Sequence, residues 1–370
     1  MNVALAHEYF SVRGGAESVA GVFHEMWPEA PVFTFFHDAR RYGPLEGWDL
    51  RTSYLQQMPI GGGLHRLLLP LYPGAAERLR VPADMEVLLS STSAFIKGIG
   101  LQDRTVHVAY CHSPTRYLWD WADRYLEEEV PLPLHPFVRE LQGRLRQADL
   151  RAAGRVDRWI ANSATVQERI ARYYGRESEV VHPPVELARF APGERGDFWL
   201  FLGRLSKYKR ADVAVDVFDR IGMRLIVVGD GRERAALEKR ARDNVTFAGR
   251  TDDATLRDLL GSARGLIWPA EDDFGIGIVE ALASGTPVVA LAAGGAPEIV
   301  RDGVDGVLVA AADPDAFMDA VLRVEHTTFD PEELRRSAAR FGRPRFEERM
   351  RAVVAEALAQ GRAAPRRASA

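Results

Sequence analysis

FWLFLGRLSKYKRADVAVDVFDRIGMRLIVVGDG, residues 198–231, carries the fold in one passage. FWLFLGRL (198–205) is an apolar run of strand length, ADVAVDVFDRI (211–221) has helical spacing, and MRLIVVGDG (223–231) is a second strand ending in glycine. Short, continuously apolar strands joined by a helix predict a parallel sheet covered on both faces. The alternation continues through VTFAG (245–249), ATLRDLLGSA (254–263), GLIWPA (265–270), GIVEALASG (277–285), PVVAL (287–291), APEIVRDG (296–303) and GVLVA (306–310). This is a doubly wound α/β domain, which binds ligands outside the carboxyl ends of its strands.

Toward the N-terminus the same pattern is weaker. NVALAH (2–7), PVFTFF (31–36), MEVLLSS (85–91), VHVAYCH (106–112) and RWIANS (158–163) are strand candidates, with a helix from RGGAE to about Trp27. Residues 37–80, rich in Gly and Pro, give no assignable pattern. EVVHPPVELARFAPGERGDF (179–198) reads as an interdomain connector. The architecture expected is two Rossmann-like domains facing across a cleft, 1–180 and 181–343. A final helix (344–360) is expected to pack back on the first domain, followed by a disordered tail (361–370). A length of 370 residues suits two domains at roughly 150 residues each.

Composition removes several function classes. With 48 basic against 52 acidic residues, the net charge of −4 offers nothing to a nucleic acid. A single cysteine, Cys111, excludes an internal disulfide and a Cys-rich zinc site. No apolar run approaches the roughly 18 residues of a membrane span. The N-terminus lacks a basic region and meets an acid at Glu8, so it is not a secretory signal, and a cytoplasmic location is expected. Lysine is rare: Lys97, Lys207, Lys209 and Lys239 are the only four, and two of them lie in GRLSKYK.

Four segments carry residues suited to chemistry. In PAEDDFGIGIVEALASGTPVVA (269–290), Glu271, Asp272 and Asp273 follow a buried strand and precede a helix bearing Glu280. The amides of Phe274, Gly275, Ile276 and Gly277 lie at that helix's N-terminus, where unpaired N–H groups favour an anion. Acids beside an anion site suit sugar hydroxyls next to a phosphate; the plainer reading is helix capping. In FLGRLSKYKRAD (201–212), Arg204 and Lys209 follow a strand end. A guanidinium holds two phosphate oxygens and an ammonium adds a mobile charge, against the plainer reading of a solvated basic loop. In HEYFSVRGGAESV (7–19), Gly14 and Gly15 would let backbone approach a ligand, although the segment is no GxGxxG. In AYCHSPTRYLWD (109–120), His112 sits at a strand end. No residue set has metal-ligand spacing, and no Ser stands in a G-x-S-x-G context.

Together these segments resemble glycosyltransferase family 4, retaining GT-B enzymes of group 1, from HEYFSVRGGAE to the final helix. EDDFGIGIVEALASGTPVVALAAGGAPEIVRDGVDGVLV is similar to the family's acid-x7-Glu motif, and GRLSKYK to its diphosphate-binding pair. RGGAE and YCHSPTRYLWD are similar to a bacterial subgroup of mannosyl- and related transferases that build surface polysaccharides. The resemblance implies Arg204 and Lys209 on the donor diphosphate, Glu280 on the ribose, and Asp272 near the donor sugar. It also implies Gly275, Ile276 and Gly277 presenting amides, His112 contacting the sugar, and Gly15 approaching the diphosphate. Asp272 stands where the family usually has Glu, shorter by roughly one C–C bond. Either the backbone sits closer there, or Glu271 or Asp273 compensates.

The implied reaction moves mannose or a similar sugar from a nucleotide sugar, GDP-mannose first and a UDP-sugar next, to a saccharide or lipid-linked acceptor. It retains configuration, the departing phosphate deprotonates the acceptor, and neither metal nor cofactor is needed. A GT-B epimerase and a non-catalytic nucleotide-sugar-binding protein are the alternative readings. LHPFVRELQGRLRQADLRAAGRVDR (134–158) carries six arginines against three acids, with Phe137, Val138, Leu141, Leu145 and Leu150 at approximate helical spacing. That pattern predicts reversible peripheral membrane contact, and fits equally a helix buried against its own domain.

Overall fold

A computed structural model describes residues 1–58 and 68–363. The chain forms two compact units, Met1–His182 together with the chain from Glu347, and Pro183–Phe346.

The first unit holds a seven-stranded sheet. Its strands are β1 (Val3–His7), β2 (Val32–Thr34), β3 (Leu50–Thr52), β4 (Val87–Thr92), β5 (Val106–Cys111), β6 (Arg158–Ala161) and β7 (Ser178–Val180). They lie in the order β3-β2-β1-β4-β5-β6-β7, every pair parallel. The second unit holds β8 (Phe198–Leu202), β9 (Arg224–Val228), β10 (Val245–Gly249), β11 (Leu266–Trp268), β12 (Val288–Leu291) and β13 (Gly306–Val309). Their order is β10-β9-β8-β11-β12-β13, again all parallel. Both units are thus Rossmann-like, as expected.

Each sheet is buried because its strands are apolar on both faces. Along β8, Trp199, Leu200 and Phe201 are all buried, but they split between two cores: Leu200 joins Val228, Leu266 and Ile278, while Trp199 and Phe201 join Val217, Phe218 and Ile267. The helix Ala211–Ile221 faces this second core with Val213, Ala214, Val217 and Phe218. It stops at Gly222, whose φ of 71° lets its amide return to the Phe218 carbonyl at 2.9 Å. Burying each of these large side chains is worth about 1.5–3 kcal/mol.

Two sequence expectations change here. The stretch 179–198 is not all connector, because Ser178–Val180 forms the edge strand β7 and Val185 already bonds to the Phe341 carbonyl of the second unit. The final helix, expected to end at 360, runs to Ala363. At Gly361 it lies against Val106, where a Cβ would collide with a valine methyl. Residues 364–370 lie outside the described residues. Within the first unit this helix buries Met350, Val353, Val354 and Ala357, and Arg349 pairs with Glu179.

The segment 134–158 contains the helix His135–Gly154, and its apolar stripe divides. Leu145 is buried and Leu141 packs on the first unit's core, whereas Phe137 is 74% and Leu150 42% exposed. Three of the six arginines are committed internally: Arg146 to the Leu118 carbonyl, Arg155 to the Gly98 carbonyl and Arg158 to Glu179. No helix among the described residues is long and apolar enough to cross a membrane.

Candidate functional site

In the second unit the strand order reverses between β8 and β11, the place where doubly wound sheets open a crevice at their carboxyl ends. Two chain segments meet there. After β8 the chain turns through Gly203–Ser206, held by the Leu205 amide on the Asp230 carbonyl at 3.0 Å, and delivers Lys209 just before the helix Ala211–Ile221. After β11 it runs through Glu271–Gly275 into the helix Ile276–Ala283.

The Lys209 ammonium donates to both carboxylate oxygens of Asp272, each at 2.7 Å. It also lies 5.0 Å from the centre of the Trp268 ring and 5.3 Å from that of Tyr208, within cation–π range. The loop bearing Asp272 is clamped from below. The Gly295 amide donates to the Asp272 carbonyl at 2.9 Å, and a Cβ on Gly295 would collide with the Phe274 backbone. Only glycine lets the two backbones approach so closely. Gly275 caps the helix at φ 102°, a left-handed conformation that also favours glycine.

The other expected residues take different places. Arg204 is exposed after β8, and Glu271 is exposed beside Asp272. Phe274 is a core residue, its ring 5.5 Å from that of Phe341, so only its backbone faces the loop. Ile276 opens the helix's first turn. Gly277 is buried against Trp268, where a Cβ would come within 2.9 Å of the ring, so its missing side chain serves packing. Glu280 lies one turn on, and burial pushes its carboxyl up to about 7, against the pull of Arg189 and with a further push from Asp253. The structure therefore brings Lys209 and Asp272 into contact and carries Glu280 on the helix that follows the Asp272 loop.

The first unit reverses its strand order between β1 and β4, and polar groups gather there too. His112 follows β5, and its Nε2 lies 2.7 Å from Ser91 Oγ, which is 3.0 Å from His7 Nδ1. Burial holds His7 down to about 4 and His112 to about 3, where the charge of His7 adds to the effect. Glu8 accepts from Thr92 Oγ1 at 2.9 Å and from the amides of Ala94, Ser93 and Ile96 at 2.7, 3.2 and 3.3 Å. Burial raises the Glu8 carboxyl, and Lys97 with these hydrogen bonds opposes it.

Beneath them Lys97 and Asp149, 2% and 0% exposed, form an ion pair of 2.5 Å. Asp149 also accepts from Thr115 Oγ1, Trp119 Nε1 and Tyr174 OH, each at 2.9 Å. Gly14 caps the helix Gly15–Met26, where a Cβ would sit 2.8 Å from the Glu17 carboxylate; Gly15 opens its first turn.

His7, Ser91 and Trp268 were not singled out from sequence. Polar residues closing otherwise apolar strands, His7 with Glu8 and Ser90 to Thr92, were the signal available. No group of three or more His, Cys, Asp or Glu side chains among the described residues is placed to hold a metal ion.

Residues 197–327 match the family model for Glycosyl transferases group 1. A D-inositol 3-phosphate glycosyltransferase of Mycolicibacterium paratuberculosis is 35% identical over 167 residues, 39% of this chain and 38% of that protein. One from Mycobacterium tuberculosis is 32% identical over 192 residues, 45% of this chain and 40% of that protein. The alignments thus span 38–40% of the length of these curated relatives. Among solved structures, Anabaena HepE in complex with UDP-glucose matches with a TM-score of 0.69 at 17% identity, over 96% of this chain and 100% of that one. The apo lipopolysaccharide outer core galactosyltransferase WaaB matches with a TM-score of 0.66 at 16% identity, over 96% and 99%. At such identities these two carry the fold. The family match thus lies within the second unit, and the likeness in fold to these two structures extends over nearly the whole chain.

Proposed function

We propose that the chain is a retaining, metal-independent glycosyltransferase that moves a sugar from a nucleoside diphosphate sugar to a saccharide or lipid-linked acceptor in surface polysaccharide synthesis. The observation that carries this is the Lys209–Asp272 pair at the strand-order reversal of the second sheet, inside the stretch that matches group 1 transferases. An incoming diphosphate competes with Asp272 for the Lys209 ammonium, and Arg204 adds a guanidinium suited to two phosphate oxygens. Catalysis then rests on positioning and on stabilising the negative charge that grows on the leaving group. Asp272, released from Lys209, binds hydroxyls of the transferred sugar, Glu280 binds the ribose, and His112 serves as a sugar-contacting residue of the first unit.

For the donor, the mannosyltransferase-like sequence favours GDP-mannose, while the HepE complex with UDP-glucose favours a UDP-sugar. Membrane contact is assigned to Leu132, Leu134 and Phe137, which are 76%, 49% and 74% exposed. Arg139, Arg144 and Arg151 lie exposed on the same helix as Phe137.

Incubation with labelled GDP-mannose and UDP-glucose, in the presence and absence of excess EDTA, tests the reading. Transfer or slow hydrolysis that releases the α-configured sugar and survives EDTA is expected. An isomerised donor would instead mark an epimerase, binding without turnover would mark a carrier, and EDTA inhibition reversed by Mg²⁺ would overturn metal independence.

A further inference from the structure

Ser91 stands between two imidazoles, the buried His7 and the half-buried His112. Its Oγ is 3.0 Å from His7 Nδ1 and 2.7 Å from His112 Nε2, and both Ser91 and His7 are buried at the ends of the adjacent strands β4 and β1. A hydroxyl has one proton to give and can accept two. If it accepted from both rings, its own O–H would have no other acceptor among the described residues, so it donates to one ring and accepts an N–H from the other. Above about pH 4 both rings are neutral, each carrying a single proton. Only two arrangements then satisfy both contacts and also pair the hydroxyl's own proton. Either His112 donates from Nε2 to Ser91 while Ser91 donates to His7 Nδ1, or every proton in the chain is shifted the other way. In the first, both histidines are protonated at Nε2; in the second, both are protonated at Nδ1.

The tautomers of the two rings are therefore tied to each other through one oxygen. The backbone around His112 is pinned as well, since Asn162 Nδ2 donates to its carbonyl at 3.0 Å and its own amide donates to the Thr92 carbonyl at 2.9 Å. The Tyr110 ring meets the imidazole edge-on, with centroids 5.3 Å apart. Ring plane, backbone and proton are all set from the side of the core.

We propose that Ser91 and His7 are positioning residues for His112, acting as a coupled hydrogen-bond chain that fixes the proton on its imidazole and so decides whether Nδ1 donates or accepts. The functional half of this inference rests on the sugar-contacting role given to His112 above; the coupling itself does not.

The test is imidazole ¹⁵N NMR on the full-length chain at pH 7, with His7 and His112 assigned through His7→Gln and His112→Gln. Both rings should show the same single tautomer, and Ser91→Ala should release them into mixtures. Opposite tautomers in the wild type, or tautomers unmoved by Ser91→Ala, would overturn the proposal whatever the protein catalyses. With nucleotide-sugar turnover as a second readout, Ser91→Ala should lower kcat about tenfold, roughly the worth of one hydrogen bond, with donor KM within about threefold. An unchanged kcat beside altered tautomers would confine the chain to a structural role. Absence of turnover in the wild type would count against the glycosyltransferase reading and leave the NMR result standing.

Discussion

Where the strand order reverses in the first sheet, the protein holds neutral or fully paired polar groups: buried His7 and Ser91 chained to a half-buried His112, with Lys97 and Asp149 forming a buried ion pair. At the matching reversal in the second sheet it leaves an ion pair partly open, Lys209 and Asp272 being 14% and 15% exposed. The two places share a topology and differ in how replaceable their contacts are. A sealed pair of charges cannot change partner without stranding one of them in a low-dielectric interior. A pair that touches solvent can exchange a carboxylate for a phosphate at little cost. The first reversal thus holds one geometry, and under the proposed function the second exchanges its carboxylate for a phosphate.

The largest effect should come from breaking the sealed pair. Lys97→Met leaves the Asp149 charge buried without its cation and should cost about 3–5 kcal/mol of the first unit's stability. Urea unfolding followed through hydrogen exchange in β4 and β5 measures it; a loss below about 1 kcal/mol would mean that the pair contributes no more than a surface contact.

Next, the open pair should govern rate more than fold. Arg204→Ala and Lys209→Ala should each lower kcat by about 10² to 10³ with the melting temperature nearly unchanged. Activity within about threefold of wild type in both variants would remove the diphosphate assignment.

The units should also answer pH in opposite directions. His7 and His112 have folded pKa values of about 4 and about 3 against 6.5 unfolded, so their contribution is present above 6.5 and is lost as pH falls toward 4. Glu280 has a folded value of about 7 against 4.5, so its contribution is present below 4.5 and is lost as pH rises through 7. At most, the shifts of His7 and Glu280 are worth about 3 kcal/mol each and that of His112 about 5 kcal/mol. Hydrogen exchange corrected for intrinsic rates should show β4 weakening in acid and β11 weakening toward neutral pH, with Glu280→Gln flattening the second slope. Parallel slopes in the two units would contradict the contrast.

The smallest effect concerns the exposed corner of the first unit. Vesicle co-sedimentation at low salt should favour anionic over neutral lipid by a few-fold, at about 1 kcal/mol per basic residue near the surface, and Phe137→Ser should reduce it. Equal, negligible binding to both vesicles would leave the helix His135–Gly154 purely structural.

The central strands of both sheets were legible because burial on two faces writes an uninterrupted apolar run, and the helix Ala211–Ile221 has the limits its spacing implies. The two strands missed are the edges. β3 is Leu50–Thr52, with Arg51 turned toward Asp49, and β7 is Ser178–Val180, with Glu179 paired to Arg158 and Arg349. An edge strand has one strand neighbour and a wet flank, so it need not be apolar. Lys209 and Asp272 were each legible from motif, but their pairing across 63 positions came only from the fold. The His7–Ser91–His112 chain was illegible for the same reason, since 84 and 21 positions separate its members.

Calorimetric titration of the full-length protein and of Lys209→Ala with UDP-glucose and GDP-mannose tests the central claim most directly. Saturable binding of at least one nucleotide sugar below about 1 mM, weakened about tenfold or more in the variant, is the predicted result. Binding that is unchanged in Lys209→Ala, or no binding of either sugar nucleotide in that range, would contradict the assignment of the second sheet's reversal as the donor site.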